Sequence, residues 1–141
     1  MILDSQKRVL LVHEPDESCP GLEIWVAPGG GVEASEDPTE ALGRELQEEI
    51  GVAGALIGPH VWDRHCVFRS DGRSYDQREQ FYLVDINSAT PATGDRLWRW
   101  WSLEDLLQRS PGVTFYPSQL AALLPPLMEG RIPQHPFDAG D

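Results

Sequence analysis

Positive charge is scarce in this sequence: 11 Lys and Arg stand against 23 Asp and Glu over 141 residues, a net charge of −12. Phosphate backbones are bound through an excess of Lys and Arg, so a nucleic-acid duplex or an anionic membrane surface is a poor partner for such a chain. The same argument leaves a small phosphorylated substrate open, because a bound metal ion reverses the sign of the field locally. Cysteine is scarce too. Cys19 and Cys66 have neither metal nor redox spacing, and none of the four histidines pairs with a cysteine at zinc spacing. Two reduced thiols in a cytoplasmic protein are the plain reading, with a disulfide as the alternative. No apolar run approaches the roughly 18 residues that a membrane helix needs. No basic region followed by an apolar run suggests a signal peptide.

What is present is ordinary in bulk, 40% hydrophobic and 24% charged residues, and suits one domain over residues 1–141 with a substantial core. The chemistry concentrates between Pro28 and Val52, PGGGVEASEDPTEALGRELQEEIGV, which holds six glutamates and three consecutive glycines. Asp37 suits an N-cap, Pro38 the first helical position and Gly51 the C-terminal cap, which predicts a helix from Pro38 to Ile50. Leu42, Leu46 and Ile50 recur every fourth residue and form its buried stripe. Gly43 inside that helix costs about 1 kcal/mol against Ala, which a close approach to a strand would offset. Glu45, Glu48 and Glu49 stand at i, i+3 and i+4, within one sector of the helix surface. Neighbouring carboxylates repel, and a cation among them turns that repulsion into binding. Hard divalent ions prefer oxygen ligands and often work with substrate phosphates.

The same stretch reads Gly30, five residues, Glu36, seven residues, then Arg44-Glu45-Leu46-x-Glu48-Glu49-x-Gly51-Val52. It resembles the Nudix box, nine fixed positions over 23 residues with every one filled. Ser35 departs from the commonest pattern, where glycine often precedes the first box glutamate. The resemblance implies an α/β/α sandwich with a mixed β-sheet, and a hydrolase that cuts a pyrophosphate bond in a nucleoside diphosphate linked to another group. The candidates are nucleoside triphosphates, ADP-ribose, nucleotide sugars and dinucleoside polyphosphates. It implies Mg²⁺, with Mn²⁺ a possible substitute, held by Glu36, Glu45, Glu48, Glu49 and the carbonyl of Gly30. Arg44 would orient glutamates, reaching Glu48 and Glu40 at four residues' distance. The general base is a box glutamate, Glu48 or Glu45, or an acid outside the box, Glu79 or Asp95. Glu104 sits in a capping box, where it would stabilise a helix end. An alternative from another class is a non-catalytic module that binds a nucleotide and regulates something, although such relatives usually have eroded boxes. Against the family the first strand is short, which leaves open whether the chain begins abruptly or lacks residues its relatives carry.

Substrate contacts are drawn from Arg64 and Arg78, in a cluster with Arg69 and Arg73, and from Trp25 among many aromatics that serve equally well as core. The partner expected is a small phosphorylated nucleotide, and the protein a monomer or homodimer. Elsewhere, RVLLVH reads as a strand covered on both faces, after a polar turn at Asp4–Lys7. Ala55–Phe68 reads as one or two strands broken near Gly58-Pro59. Asp71-Gly72 suits a hairpin tip, Gln80–Ile86 and Leu97–Trp101 read as strands, and a short helix follows Ser102. A final helix starts at Pro117 and bends or stops at Pro125-Pro126.

Overall fold

The computed structural model describes residues 1–16, 19–70, 72–92 and 94–140. The polar turn near the start forms as its residues require. β1 (Ile2–Leu3) and β2 (Val9–Pro15) pair antiparallel across it. The Asp4 carboxylate accepts the backbone N–H groups of Gln6 and Arg8 at 2.9 and 2.8 Å. β2 is the spine of the molecule. Val9, Leu10, Leu11 and Val12 are all 0% exposed, as a strand covered on both faces should be. Alternation sends Val9 and Leu11 into a core with Trp25, Val61, Trp62, Trp101 and Phe115. It sends Leu10 and Val12 into a second core with Ile2, Leu46, Ile50 and Val84.

β3 (Glu23–Val26) and β6 (Trp98–Trp101) pair antiparallel with β2, and β7 (Val113–Tyr116) lies parallel to β3. β4 (Leu56–Ser70) and β5 (Arg73–Asp85) form a long antiparallel ribbon. β1 joins β5 in parallel, and β8 (Phe137–Asp138) runs parallel to β4. The sheet is therefore mixed. Helix α1 (Pro38–Ile50) covers the second core with Leu46 and Ile50. α2 (Leu103–Leu107) and α3 (Leu120–Met128) cover the first with Leu106, Leu120, Leu124 and Leu127. Helices thus lie on both faces of a mixed α+β fold. None of the described helices is long and apolar enough to cross a membrane, and no disulfide joins Cys19 and Cys66.

The structure corrects several element boundaries. β5 begins at Arg73 rather than Gln80. Its first residues are exposed on both faces of the ribbon, so no hydrophobic alternation announces them. β4 is one strand, with register shifts between Ile57 and Trp62 where a break was expected at Gly58-Pro59. The ribbon pairs as far as Ser70 opposite Arg73, and Gly72 has φ 74°. Asp71 of the expected turn lies outside the described residues, as do parts of the loops at 14–21 and 87–95. β7 and β8 were not anticipated. α3 starts at Leu120 and continues through Pro125 and Pro126 to Met128. Each proline removes a helical hydrogen bond, but the buried leucines on either side hold the segment in register.

Candidate active site

Helix α1 starts where its sequence dictates. The Asp37 carboxylate accepts the N–H groups of Thr39 and Glu40 at 2.8 and 3.0 Å, and the Glu40 carboxylate accepts that of Asp37. Gly51 ends it at φ 66°. The preceding loop folds back onto the helix through Arg44. Its Nε donates to Glu36 Oε1 at 2.9 Å, Nη2 to Glu36 Oε2 and to the carbonyl of Gly31 at 3.0 Å, and Nη1 to Glu45 Oε1 at 2.8 Å. Glu48 Oε2 lies 3.6 Å from Nη1. Arg44 therefore reaches Glu36, Glu45 and Glu48. The expected contact with Glu40 is absent, because that carboxylate belongs to the helix cap. Hydrogen bonding from Arg44 holds the Glu36 carboxyl below its ordinary range. Ser35 adopts φ 75°, the left-handed conformation in which glycine carries little steric cost. This explains in physical terms why glycine suits that position.

Gly30 faces Glu45 closely. A Cβ at Gly30 would stand 2.3 Å from Glu45 Oε1, so any larger residue would displace that carboxylate from its present place. Glu49 lies elsewhere on the helix. It is the buried charged residue of the described structure, at 5% exposure. Its Oε2 accepts the N–H of Gly29 at 2.9 Å, and Oε1 lies 3.5 Å from Arg96 Nε. Burial pushes its carboxyl up to about 7, against the pull of Gly29 and Arg96. Glu48, by contrast, is 51% exposed. The end of α1 is tied to the segment before β6. Ala92, Asp95 and Arg96 donate backbone N–H groups to the carbonyls of Ile50, Glu48 and Glu49 at 2.8, 3.0 and 3.3 Å. Gly94 fits beneath them, since a Cβ there would stand 2.3 Å from the Glu49 carbonyl oxygen.

Gly30, Glu36, Arg44, Glu45 and Glu48 are thus brought together, with Glu49 gripped on the adjoining side. Among the described residues, no three His, Cys, Asp or Glu side chains stand in a metal-holding arrangement. Glu45 and Glu48 are drawn onto Arg44 instead. The donor set nevertheless fits a hard divalent cation, being all oxygen with a close approach at Gly30. Asp95 sits at the end of α1, its N–H on the Glu48 carbonyl. Glu79 is bound on the ribbon by Arg64, whose Nη1 donates to both carboxylate oxygens at 3.0 Å. The Arg64 side chain is 11% exposed and lies over the Tyr116 ring. Arg78 is exposed on the ribbon opposite His65. Among the described residues, no hydrogen bond or ion pair joins Arg64, Arg78 or Glu79 to the box glutamates. Trp25 is 5% exposed and packs edge-on against Trp101 with centroids 5.0 Å apart, which makes it a core residue and leaves no open face for a base. Sequence reasoning missed Arg96, Glu14 and Gly94. A cation directly beside Asp95 in an acidic chain was the available signal for Arg96, whereas Glu14 and Gly94 offered none.

The model of the NUDIX domain matches residues 1–123 of the chain. An RNA pyrophosphohydrolase of Rhodospirillum rubrum is 30% identical over 122 residues, covering 76% of this chain and 72% of that protein. Among solved structures, the E. coli ORF135 protein superposes with a TM-score of 0.58 at 27% identity, over 92% of this chain and 85% of its own. A C. elegans Ap4A hydrolase superposes with a TM-score of 0.63 at 18% identity, over 92% of each chain. That last likeness speaks for the fold alone.

Proposed function

Because this chain belongs to the Nudix family and is a pyrophosphohydrolase of that family, we propose that it hydrolyses a pyrophosphate bond in a small nucleoside diphosphate derivative with the help of Mg²⁺. The observation that carries this reading is the gathering of Glu36, Glu45 and Glu48 on Arg44 against the Gly30 loop. Glu36, Glu45, Glu48, Glu49 and the Gly30 carbonyl would hold the ion, with Mn²⁺ as a substitute. When bound, a divalent ion lowers the pKa of water and offsets the charge on phosphoryl oxygens.

The rest falls to the chain. Arg44 keeps Glu36 and Glu45 aimed at the loop. Glu48, half-exposed, is the box carboxylate best disposed to take a proton from water. The water oxygen attacks phosphorus, the P–O–P bond breaks with its electron pair on the departing phosphate, and the proton passes to the carboxylate. Glu79, tied to Arg64, is less free to do this, and Asp95 is the remaining candidate outside the box. The net charge of −12 favours a small substrate over a polymer. The likeness to a protein named RNA pyrophosphohydrolase favours a second reading, the 5′ pyrophosphate end of RNA.

A panel of nucleoside triphosphates, ADP-ribose, nucleotide sugars, dinucleoside polyphosphates and a 5′-triphosphorylated oligonucleotide tests both readings in Mg²⁺. Release of phosphate or nucleotide from the small substrates is expected. Turnover of the oligonucleotide alone would move the assignment to RNA. Binding without turnover of anything would favour a regulatory module.

A further inference from the structure

Glu49 presents an electrostatic problem that the box residues do not solve. A buried carboxylate is costly unless it is paired and hydrogen-bonded. Arg44 serves Glu36, Glu45 and Glu48, and among the described residues no hydrogen bond or ion pair joins it to Glu49. The countercharge comes from Arg96, outside the box. Its Nε faces Glu49 Oε1 at 3.5 Å, while Nη1 donates to Glu14 Oε2 at 2.6 Å and to the His13 carbonyl at 3.3 Å. The Arg96 backbone N–H also meets the Glu49 carbonyl. One residue therefore engages Glu49 through both main chain and side chain.

Glu14 fixes Arg96 from the far side, and Glu14 belongs to β2, whose Glu14 and His13 pair with Ile24 and Trp25 of β3. β3 leads into Gly29, whose N–H holds the other Glu49 oxygen. The carboxylate is thus gripped from two sides, by Gly29 in the loop after β3 and by Arg96, itself braced on β2 through Glu14. A guanidinium suits this place because its planar fork serves several acceptors at once, whereas an ammonium is a point charge.

We propose that Arg96, held by Glu14, is a positioning residue that aims the Glu49 carboxylate into the box. The inference rests on the reading of Glu49 as a ligand of the divalent ion. It makes a prediction whose sign separates it from simple charge. Removing a cation beside a carboxylate cluster should strengthen binding of a metal ion by electrostatics alone. Losing the group that orients a ligand weakens it, by about tenfold to a hundredfold for partners of this kind.

The test is Mn²⁺ binding to the full chain without substrate, read by the paramagnetic signal of free Mn²⁺, for wild type, Arg96→Gln, Arg96→Lys and Glu14→Gln. Arg96→Gln should bind more weakly despite the lost positive charge. Arg96→Lys, which keeps the charge and loses the fork, should also fall short of wild type. On the substrate found above, kcat should fall with KM nearly unchanged. Tighter binding in Arg96→Gln, or wild-type binding in Arg96→Lys, would overturn the proposal. Should Arg96→Gln fail to fold, Arg96→Lys carries the test alone. If wild type hydrolyses nothing, the functional reading fails while the Mn²⁺ comparison still stands.

Discussion

Single atoms decide much of this site. The missing Cβ of Gly30 is one case: a methyl group would stand 2.3 Å from Glu45 Oε1. The obstacle is the end of a side chain and Gly30 has no positive φ, so the chain can tolerate alanine by moving Glu45. Gly30→Ala should therefore leave thermal stability nearly intact while lowering hydrolysis and Mn²⁺ affinity together. Parallel melting and activity assays check this. Glu49 offers a second prediction. Burial raises its carboxyl from 4.5 to about 7 in the folded, metal-free protein. Between those values the folded state holds a proton that the unfolded state has lost, so stability falls as pH rises through that window. Melting in chelator from pH 5 to pH 8 should show this decline, and Glu49→Gln should flatten it. An equal slope in the variant would remove Glu49 as its source.

Among the elements, α1 was the most legible. Its caps, its length and its Leu46 and Ile50 stripe follow from local chemistry that acts within a few residues. The packing role expected of Gly43 was not found, since a Cβ there meets nothing within 4 Å. Gly43→Ala should therefore stabilise the protein by up to about 1 kcal/mol, seen as a raised Tm. Gly94 is the opposite case, invisible in sequence because its constraint comes from a distant helix end. Its Cβ would meet the Glu49 backbone rather than a movable side chain, so Gly94→Ala should cost about 1–3 kcal/mol, as overpacking does. In the ribbon, β4 was legible almost to its tip, Ala55–Phe68 against Leu56–Ser70, whereas β5 was legible only at its base. Beyond Asp63 the ribbon's residues are largely exposed, and in β5 exposure erases the alternation on which strand assignment depends. β7 and β8, four and two residues long, are too short to carry a period of their own.

For the whole molecule, the run Val9–Val12 declared a strand buried on both faces, and the two cores on either side of β2 are its consequence. The box declared its own helix, loop and carboxylates. What brings Arg96 to Glu49 is the meeting of β2, β3 and the segment before β6, a long-range fact that no local pattern contains. Substrate choice is long-range in the same way. Trp25, the aromatic residue offered as a substrate contact, is part of the core, and Arg64 is committed to Glu79 and Tyr116. On the proposed function, the box carboxylates drive hydrolysis of a pyrophosphate bond. Product analysis in ¹⁸O-labelled water, for wild type and Glu48→Gln with Mg²⁺, tests it most directly. Wild type should place one labelled oxygen on a phosphate product of P–O–P cleavage, and the variant should lose most turnover while melting like wild type. Equal turnover in Glu48→Gln, or label on a carbon-bound oxygen, would contradict the proposed function.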